Sequence, residues 1–288
     1  MSVSVTIARA TAVLAEAGVA SARVDAELLA AHVLATTRGR LLLAPDLTEE
    51  QHREYASLIA ARGSRVPLQH LTGRAAFRHL DLAVGPGVFV PRPETELLVE
   101  WGLAWLRGRP DAPTVVDLCA GSGAIALSVA TEHPGARVYA VEREPEALAW
   151  LRRNAAGHPV TVVAGDVTDP AVLADLDAGV DLVLCNPPYV PLTAAAGLPV
   201  EVTGHDPAAA VFGGPDGLDL FPPLLRRVSA LLAPGGAVGI EHDDTHGDAV
   251  PALMRAAGFE RVRLHHDLAG RPRFTTARRA GGWQDGAP

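Results

Sequence analysis

The chain has 288 residues, 48% hydrophobic and 20% charged, with a formal net charge of −8, which is globular composition and excludes an intrinsically disordered chain. All 25 basic residues are Arg and none forms a run, which weighs against a phosphate-tracking nucleic-acid surface. The two cysteines, Cys119 and Cys185, exclude a disulfide framework and a Cys-rich metal centre.

No apolar run reaches the ~18 residues of a membrane span, and Arg9 and Glu16 interrupt the start where a signal peptide needs an apolar stretch. A cytoplasmic protein without a membrane partner is expected. Ala- and Leu-rich stretches recur at helical spacing over 5–17, 24–36 and 49–62. The last opens on Thr48 with Gln51 three residues on, a capping-box pattern. They predict a helical domain over 1–73. Short runs at 75–84 and 88–90, broken by Gly73, Gly85, Pro86 and Gly87, predict a strand pair or hairpin as a linker over 74–92. From 93 to 288 β-type runs alternate with helical patterns, the mark of an α/β fold with a doubly wound, mostly parallel seven-stranded sheet. The predicted helices are 94–106, 123–132, 145–155, 218–232 and 247–257. The predicted strands are 114–118, 137–141, 160–163, 180–184, 237–241, 261–266 and 273–278. The tail 280–288 reads as frayed.

The run Val115-Val116-Asp117-Leu118-Cys119-Ala120-Gly121-Ser122-Gly123 carries an apolar strand into a small-residue turn and then a helix. In a doubly wound sheet this turn lies at the carboxyl end of a strand, where ligands bind, and small residues let backbone N–H groups approach a ligand. Only two of the three glycines of a dinucleotide fingerprint are present, so the turn is a poor pyrophosphate cradle. A strand-end acid, Asp117, ahead of a loose glycine pair resembles instead the nucleoside-binding turn of methyltransferases that use S-adenosylmethionine. A merely tight turn is the bland alternative. Glu142, at the end of the next strand and 19 residues beyond Gly123, is placed for a ribose; the alternative is a solvated carboxylate at a helix start. Asp166 follows the third strand and is placed for an adenine amino group with Val167 packing on the ring, or else simply forms a turn.

Asn186-Pro187-Pro188-Tyr189 follows the strand that ends at Cys185. The prolines hold the segment extended and remove two N–H groups, leaving acceptors, the Asn186 amide and the Tyr189 ring. Such a ledge suits a planar –NH2 group. With the Asn186 oxygen and the Pro187 carbonyl accepting its two hydrogens, the nitrogen gains electron density and is aimed at a sulfonium methyl while Tyr189 packs on its plane. Asn186, Pro187 and Tyr189 are thus the expected catalytic residues, Asn186 to Tyr189 the substrate ledge, and Asn186 also borders the cofactor. His242 and His246 have metal-like spacing without a third ligand, so no metal is expected. His265 and His266 read as one inward and one outward strand position. The cysteines read as small buried hydrophobes, neighbours if the first and fourth strands of the sheet pair.

With these motifs the chain resembles the HemK/PrmC-type release-factor glutamine methyltransferases over nearly its whole length. Supporting segments are Pro67 to Gly73, Val90-Pro91-Arg92-Pro93-Glu94-Thr95-Glu96, the Asp117 turn, Asn186 to Val190, Asp216 to Asp219, Leu232 to Gly236, and Glu241-His242. The resemblance implies a Rossmann-like methyltransferase domain over 93–288. It implies methylation, with S-adenosylmethionine as donor and S-adenosylhomocysteine as product, of the Gln side-chain amide in the Gly-Gly-Gln tripeptide of class I peptide-chain release factors. Translation termination is thereby modulated. It maps the cofactor turn onto Cys119, Ala120, Gly121, Ser122 and Gly123, the ribose acid onto Glu142, the adenine contacts onto Asp166 and Val167, and the amide grip onto Asn186, Pro187, Pro188 and Tyr189. Cys119 stands where relatives often carry Gly, and Glu142 where Asp is more usual. The helical domain resembles the family's docking domain. A monomer with no direct nucleic-acid partner is expected. The rival reading is a nucleic-acid adenine N6-methyltransferase, which shares Asn-Pro-Pro-Tyr but needs a basic groove for base flipping; an oxidoreductase or non-enzymatic Rossmann protein lacks support from the incomplete glycine fingerprint.

Overall fold

The computed structural model describes residues 2–109 and 112–281, so most of the tail expected to fray lies outside the described residues. The chain forms two compact units, one of Met1–Arg74, Val84–Pro86 and Pro199–His205, the other of Ala75–Ala83, Gly87–Leu198 and Asp206–Pro288.

The first unit holds helices α1 (Val3–Glu16), α2 (Ala22–Val33), α3 (Glu49–Gly63) and α4 (Leu68–Thr72), with a 3-10 turn at Arg38–Leu43. Ile7, Ala10, Leu14, Ala26, Leu29, Ala30 and Ile59 face a common core, as the helical spacing requires. The capping box forms: Gln51 N donates to Thr48 Oγ1 at 3.2 Å and Thr48 N to Gln51 Oε1 at 3.0 Å. Inside the unit Arg62 Nε donates to Asp25 Oδ2 at 2.7 Å, with both side chains buried. Glu201 of Pro199–His205 takes Arg62 Nη1 at 2.9 Å and Arg65 Nη2 at 2.7 Å; the Arg65 pairing holds its carboxyl down at about 2. The five-residue α4 is too short to show a period and was not expected.

The second unit begins with strands β1 (Arg74–Phe77) and β2 (Leu80–Ala83), which pair as a two-stranded sheet. The hairpin lies wholly within 74–83, so the expected strand at 88–90 does not form; Val88 and Val90 are buried as side chains instead, in a stretch where Pro86 and Pro91 donate no ladder hydrogen bond. Next come α5 (Thr95–Leu106), β3 (Thr114–Leu118), α6 (Ala124–Glu132), β4 (Arg137–Glu142), α7 (Pro145–Ala155), β5 (Val160–Ala164) and β6 (Val180–Cys185). After β6 come the short α8 (Val200–His205), which belongs to the first unit, and α9 (Ala208–Val211) of the second, both unforeseen for the same reason as α4. They are followed by α10 (Phe221–Leu231), β7 (Leu232–Glu241), α11 (Ala249–Ala256), β8 (Phe259–His266) and β9 (Pro272–Arg279). Helix α10 starts later than expected because Pro222 and Pro223 fit only its first turn.

The sheet order is β5-β4-β3-β6-β7-β9-β8. Strands β3 to β7 pair in parallel, while β9 runs antiparallel to β7 and β8. Val116, Leu118, Val183, Val238 and Ile240 pack with Phe221, Leu224, Leu225 and Val228 of α10 in one buried cluster. Each such side chain contributes roughly 1.5–3 kcal/mol on leaving water. The order reverses between β3 and β6, the topological switch point at whose carboxyl side doubly wound sheets bind ligands.

Candidate active site at the switch point

Register brings the strand ends level. Leu118 pairs with Cys185 on one side and Val141 on the other, Glu142 pairs with Ala164, and Cys185 pairs with Ile240. The Cys119–Gly123 turn, Glu142, Asp166, Asn186 and Glu241 therefore all leave the sheet at one edge.

Asp117 is fully buried at the end of β3. Its Oδ2 accepts from Ala126 N at 3.0 Å, its Oδ1 has no partner, and burial pushes its carboxyl well above the usual range. The turn that follows bends at Cys119, whose φ of 62° is the left-handed conformation that favours Gly. Ala120 and Ser122 are buried. Ser122 offers its carbonyl to Asn154 Nδ2 at 2.9 Å, and the Asn154 amide also spans Ala83 N and O of β2, tying hairpin and turn together. Glu142 is 8% exposed. Its Oε2 accepts from Gly121 N at 2.8 Å and its Oε1 from Arg143 N at 2.8 Å and Glu144 N at 2.9 Å. Three backbone donors thus fix this carboxylate.

Asp166 closes a turn, taking Thr168 N and Oγ1 on Oδ1, both at 2.8 Å, and Arg143 Nη1 on Oδ2 at 3.1 Å. These bonds, against its partial burial, leave its carboxyl below the usual range. Val167 is buried in the core cluster beneath.

Pro187 is buried, and Asn186, Pro188 and Tyr189 are partly so. The backbone beyond them is seated on a glycine shelf. Val190 N donates to Val211 O and Gly213 N to Val190 O. A Cβ on Gly213 would stand 2.6 Å from the Pro188 carbonyl oxygen, and one on Gly217, whose φ is 80°, would overlap that of Tyr189. The ledge is completed by residues far away in sequence. Asn186 Nδ2 donates to Thr95 Oγ1 at 3.2 Å, Thr95 Oγ1 donates to Glu241 Oε2 at 2.7 Å, and Tyr189 Oη donates to Glu241 Oε1 at 2.8 Å. Glu241 is fully buried, which raises its carboxyl pKa despite the two hydroxyl donors and the nearby Arg273 guanidinium. Thr95, Glu241, Gly213, Gly217 and Asn154 were not singled out as site residues in the sequence. The only signal was that Thr95, Glu241 and Gly217 fall within segments that resemble the family.

The strand ahead of Cys119 and the strand that ends at Cys185 are neighbours, and burial pushes the Cys185 thiol well above its usual value, with Cys119 beside it adding to the shift. His242 Nε2 bonds Thr275 Oγ1 at 2.9 Å and His246 Nε2 bonds the Asp216 carbonyl at 2.9 Å. Burial holds His242 down at about 4. On the sheet's far edge His265 stacks on Phe274 and is half-buried, while His266 is exposed. Among the described residues no group of three or more His, Cys, Asp or Glu is arranged to hold a metal.

Residues 6–73 match the family model of the PrmC N-terminal domain and residues 95–197 that of the methyltransferase small domain. A protein named release factor glutamine methyltransferase from Mycolicibacterium smegmatis is 52% identical over 274 residues, 95% of this chain and 96% of that protein. Those of Streptomyces coelicolor and Corynebacterium glutamicum, named likewise, are 49% and 46% identical over 276 and 273 residues. They cover 95% and 94% of this chain and 97% and 96% of their own. With this identity sustained from end to end, the chain belongs to the release factor glutamine methyltransferase family.

Proposed function

We propose that the chain transfers the methyl group of S-adenosylmethionine to the side-chain amide nitrogen of the Gln in the Gly-Gly-Gln tripeptide of class I peptide-chain release factors. The observation that supports this most is the Asn186–Tyr189 ledge at the switch point, with two imino acids and the Asn186 amide nitrogen already committed to Thr95. Bound S-adenosylmethionine supplies a sulfonium methyl, an electrophile that needs no metal.

The residues present suit that group. The unpartnered Asp117 Oδ1 is an acceptor awaiting a donor. Gly121 has open space where a side chain would stand. Glu142, fixed by three backbone N–H groups, keeps lone pairs for ribose hydroxyls. Asp166 keeps fewer, since Thr168 and Arg143 already use both of its oxygens; an adenine amino group would share them. The Val167 side chain belongs to the floor.

On the acceptor side, the Asn186 side-chain oxygen and the Pro187 carbonyl take the two amide hydrogens of the glutamine. Its nitrogen lone pair, delocalised and weakly nucleophilic, gains density and direction. Tyr189 limits the tilt of the amide plane. Alignment is the main source of rate: the proton becomes acidic only as the new C–N bond forms, so a strong base is not required. The helical unit, matched by the PrmC N-terminal model, serves to dock the release factor. Asn186→Ala tests the reading: transfer to a purified release factor should be lost with cofactor binding retained. Wild-type transfer by this variant would overturn it.

A further inference from the structure

We propose that Thr95 and Glu241 are positioning residues that set the orientation of the Asn186 amide, so that its oxygen rather than its nitrogen meets the substrate. The proposal rests on the functional reading above and deepens it. A primary amide is nearly symmetric in shape, and Asn186 could present either end to a ligand. Only the oxygen can accept a hydrogen from the glutamine –NH2; the nitrogen would oppose donor to donor.

The polarity is set two residues away. Both oxygens of Glu241 receive hydroxyls, Thr95 at 2.7 Å and Tyr189 at 2.8 Å, so each hydroxyl proton is directed at the carboxyl group. The Thr95 proton is thereby spent on Glu241, and its oxygen turns a lone pair to Asn186 Nδ2 at 3.2 Å. The amide oxygen, on the other arm of the planar group, then faces away from Thr95. Thr95 is 3% and Glu241 1% exposed, so water does not compete for these bonds. The second arm of the relay holds the Tyr189 hydroxyl. One carboxylate at the end of β7 thus orders both ends of the ledge at the end of β6.

Kinetics of Thr95→Val, Thr95→Ser and Glu241→Gln with a purified release factor, alongside S-adenosylmethionine binding, test this. Thr95→Val keeps the shape and removes the relay, and its kcat should fall on the order of 10²-fold with cofactor affinity and KM close to wild type. Thr95→Ser should restore most of the loss. In Glu241→Gln the side chain can donate to Thr95, which lets the relay reverse. A release factor with Gly-Gly-Glu in place of Gly-Gly-Gln, which offers a carboxylate and no amide hydrogens, should then inhibit more strongly relative to wild type. A purely structural role for Thr95 and Glu241 does not produce that exchange. Wild-type kcat in Thr95→Val, or an unchanged inhibition preference in a folded Glu241→Gln, overturns the positioning role. If the wild-type protein itself transfers no methyl to glutamine, the functional reading fails instead.

Discussion

The backbone N–H of Gly121 donates to Glu142 Oε2 at 2.8 Å, joining the turn after β3 to the acid that ends β4. The small-residue turn and the acid therefore form one object, and each limits the freedom of the other. Hydrogen bonds to a charged group contribute about 1.5–3 kcal/mol. Glu142→Ala should weaken S-adenosylmethionine binding by roughly 10- to 100-fold on that basis, with a lower Tm from three donors left open. Calorimetric titration checks this; unchanged affinity would remove Glu142 from the cofactor site.

Asp117 supplies a case where stability and binding should part. Burial raises its carboxyl pKa above the unfolded value, so the ionised form costs stability at neutral pH, and that cost disappears as the pH falls. Asp117→Asn keeps an acceptor for Ala126 N and removes the charge. Its Tm should exceed that of wild type at pH 8, converge with it in acid, and be accompanied by weaker cofactor binding. A ΔΔG of ~1 kcal/mol corresponds to about 2–4 °C in a domain of this size. A variant less stable than wild type at pH 8 would contradict this account.

Gly217→Ala should be felt at the ledge although Gly217 is 28 residues from Tyr189. An added Cβ would overlap the Tyr189 carbonyl oxygen at a φ of 80°. The expected outcome is a lower Tm together with kcat reduced more than cofactor affinity. Equal kcat in a folded variant would show that the glycine shelf does not set the ledge.

His242 predicts an acid-side loss of stability. Its pKa is held at about 4 in the folded chain by burial, against ~6.5 in the unfolded one. The unfolded state therefore binds more protons between these values, and stability falls as pH drops through that window, by up to about 3 kcal/mol from this group. Urea unfolding from pH 7 to pH 4 should show a shallower slope in His242→Gln than in wild type. Parallel profiles would count against the buried neutral imidazole.

Legibility in the sequence follows how local each feature is. The glycine turn and Asn186–Tyr189 were readable because their chemistry is contiguous. The β3 to β7 run was readable because apolar strands and amphipathic helices carry different periods. Thr95 and Glu241 are 146 residues apart and meet only because β6 and β7 are neighbours with α5 packed against them. Nothing in either local sequence announces the pairing. Glu201 and its Arg partners are a similar case, separated by 136 residues from Arg65. Helices α4, α8 and α9 have six residues or fewer and show no period. A hairpin was expected, but its second strand forms at Leu80–Ala83 within the first expected run rather than at 88–90, because turn residues mark a break without saying which flank pairs.

The most direct measurement is mass spectrometry of a class I release factor after incubation with this protein and isotopically labelled S-adenosylmethionine. One labelled methyl on the side-chain amide of the Gly-Gly-Gln glutamine, absent when that residue is replaced by Ala, is the predicted result. Label on another residue, or on nucleic acid in place of the protein, would contradict it.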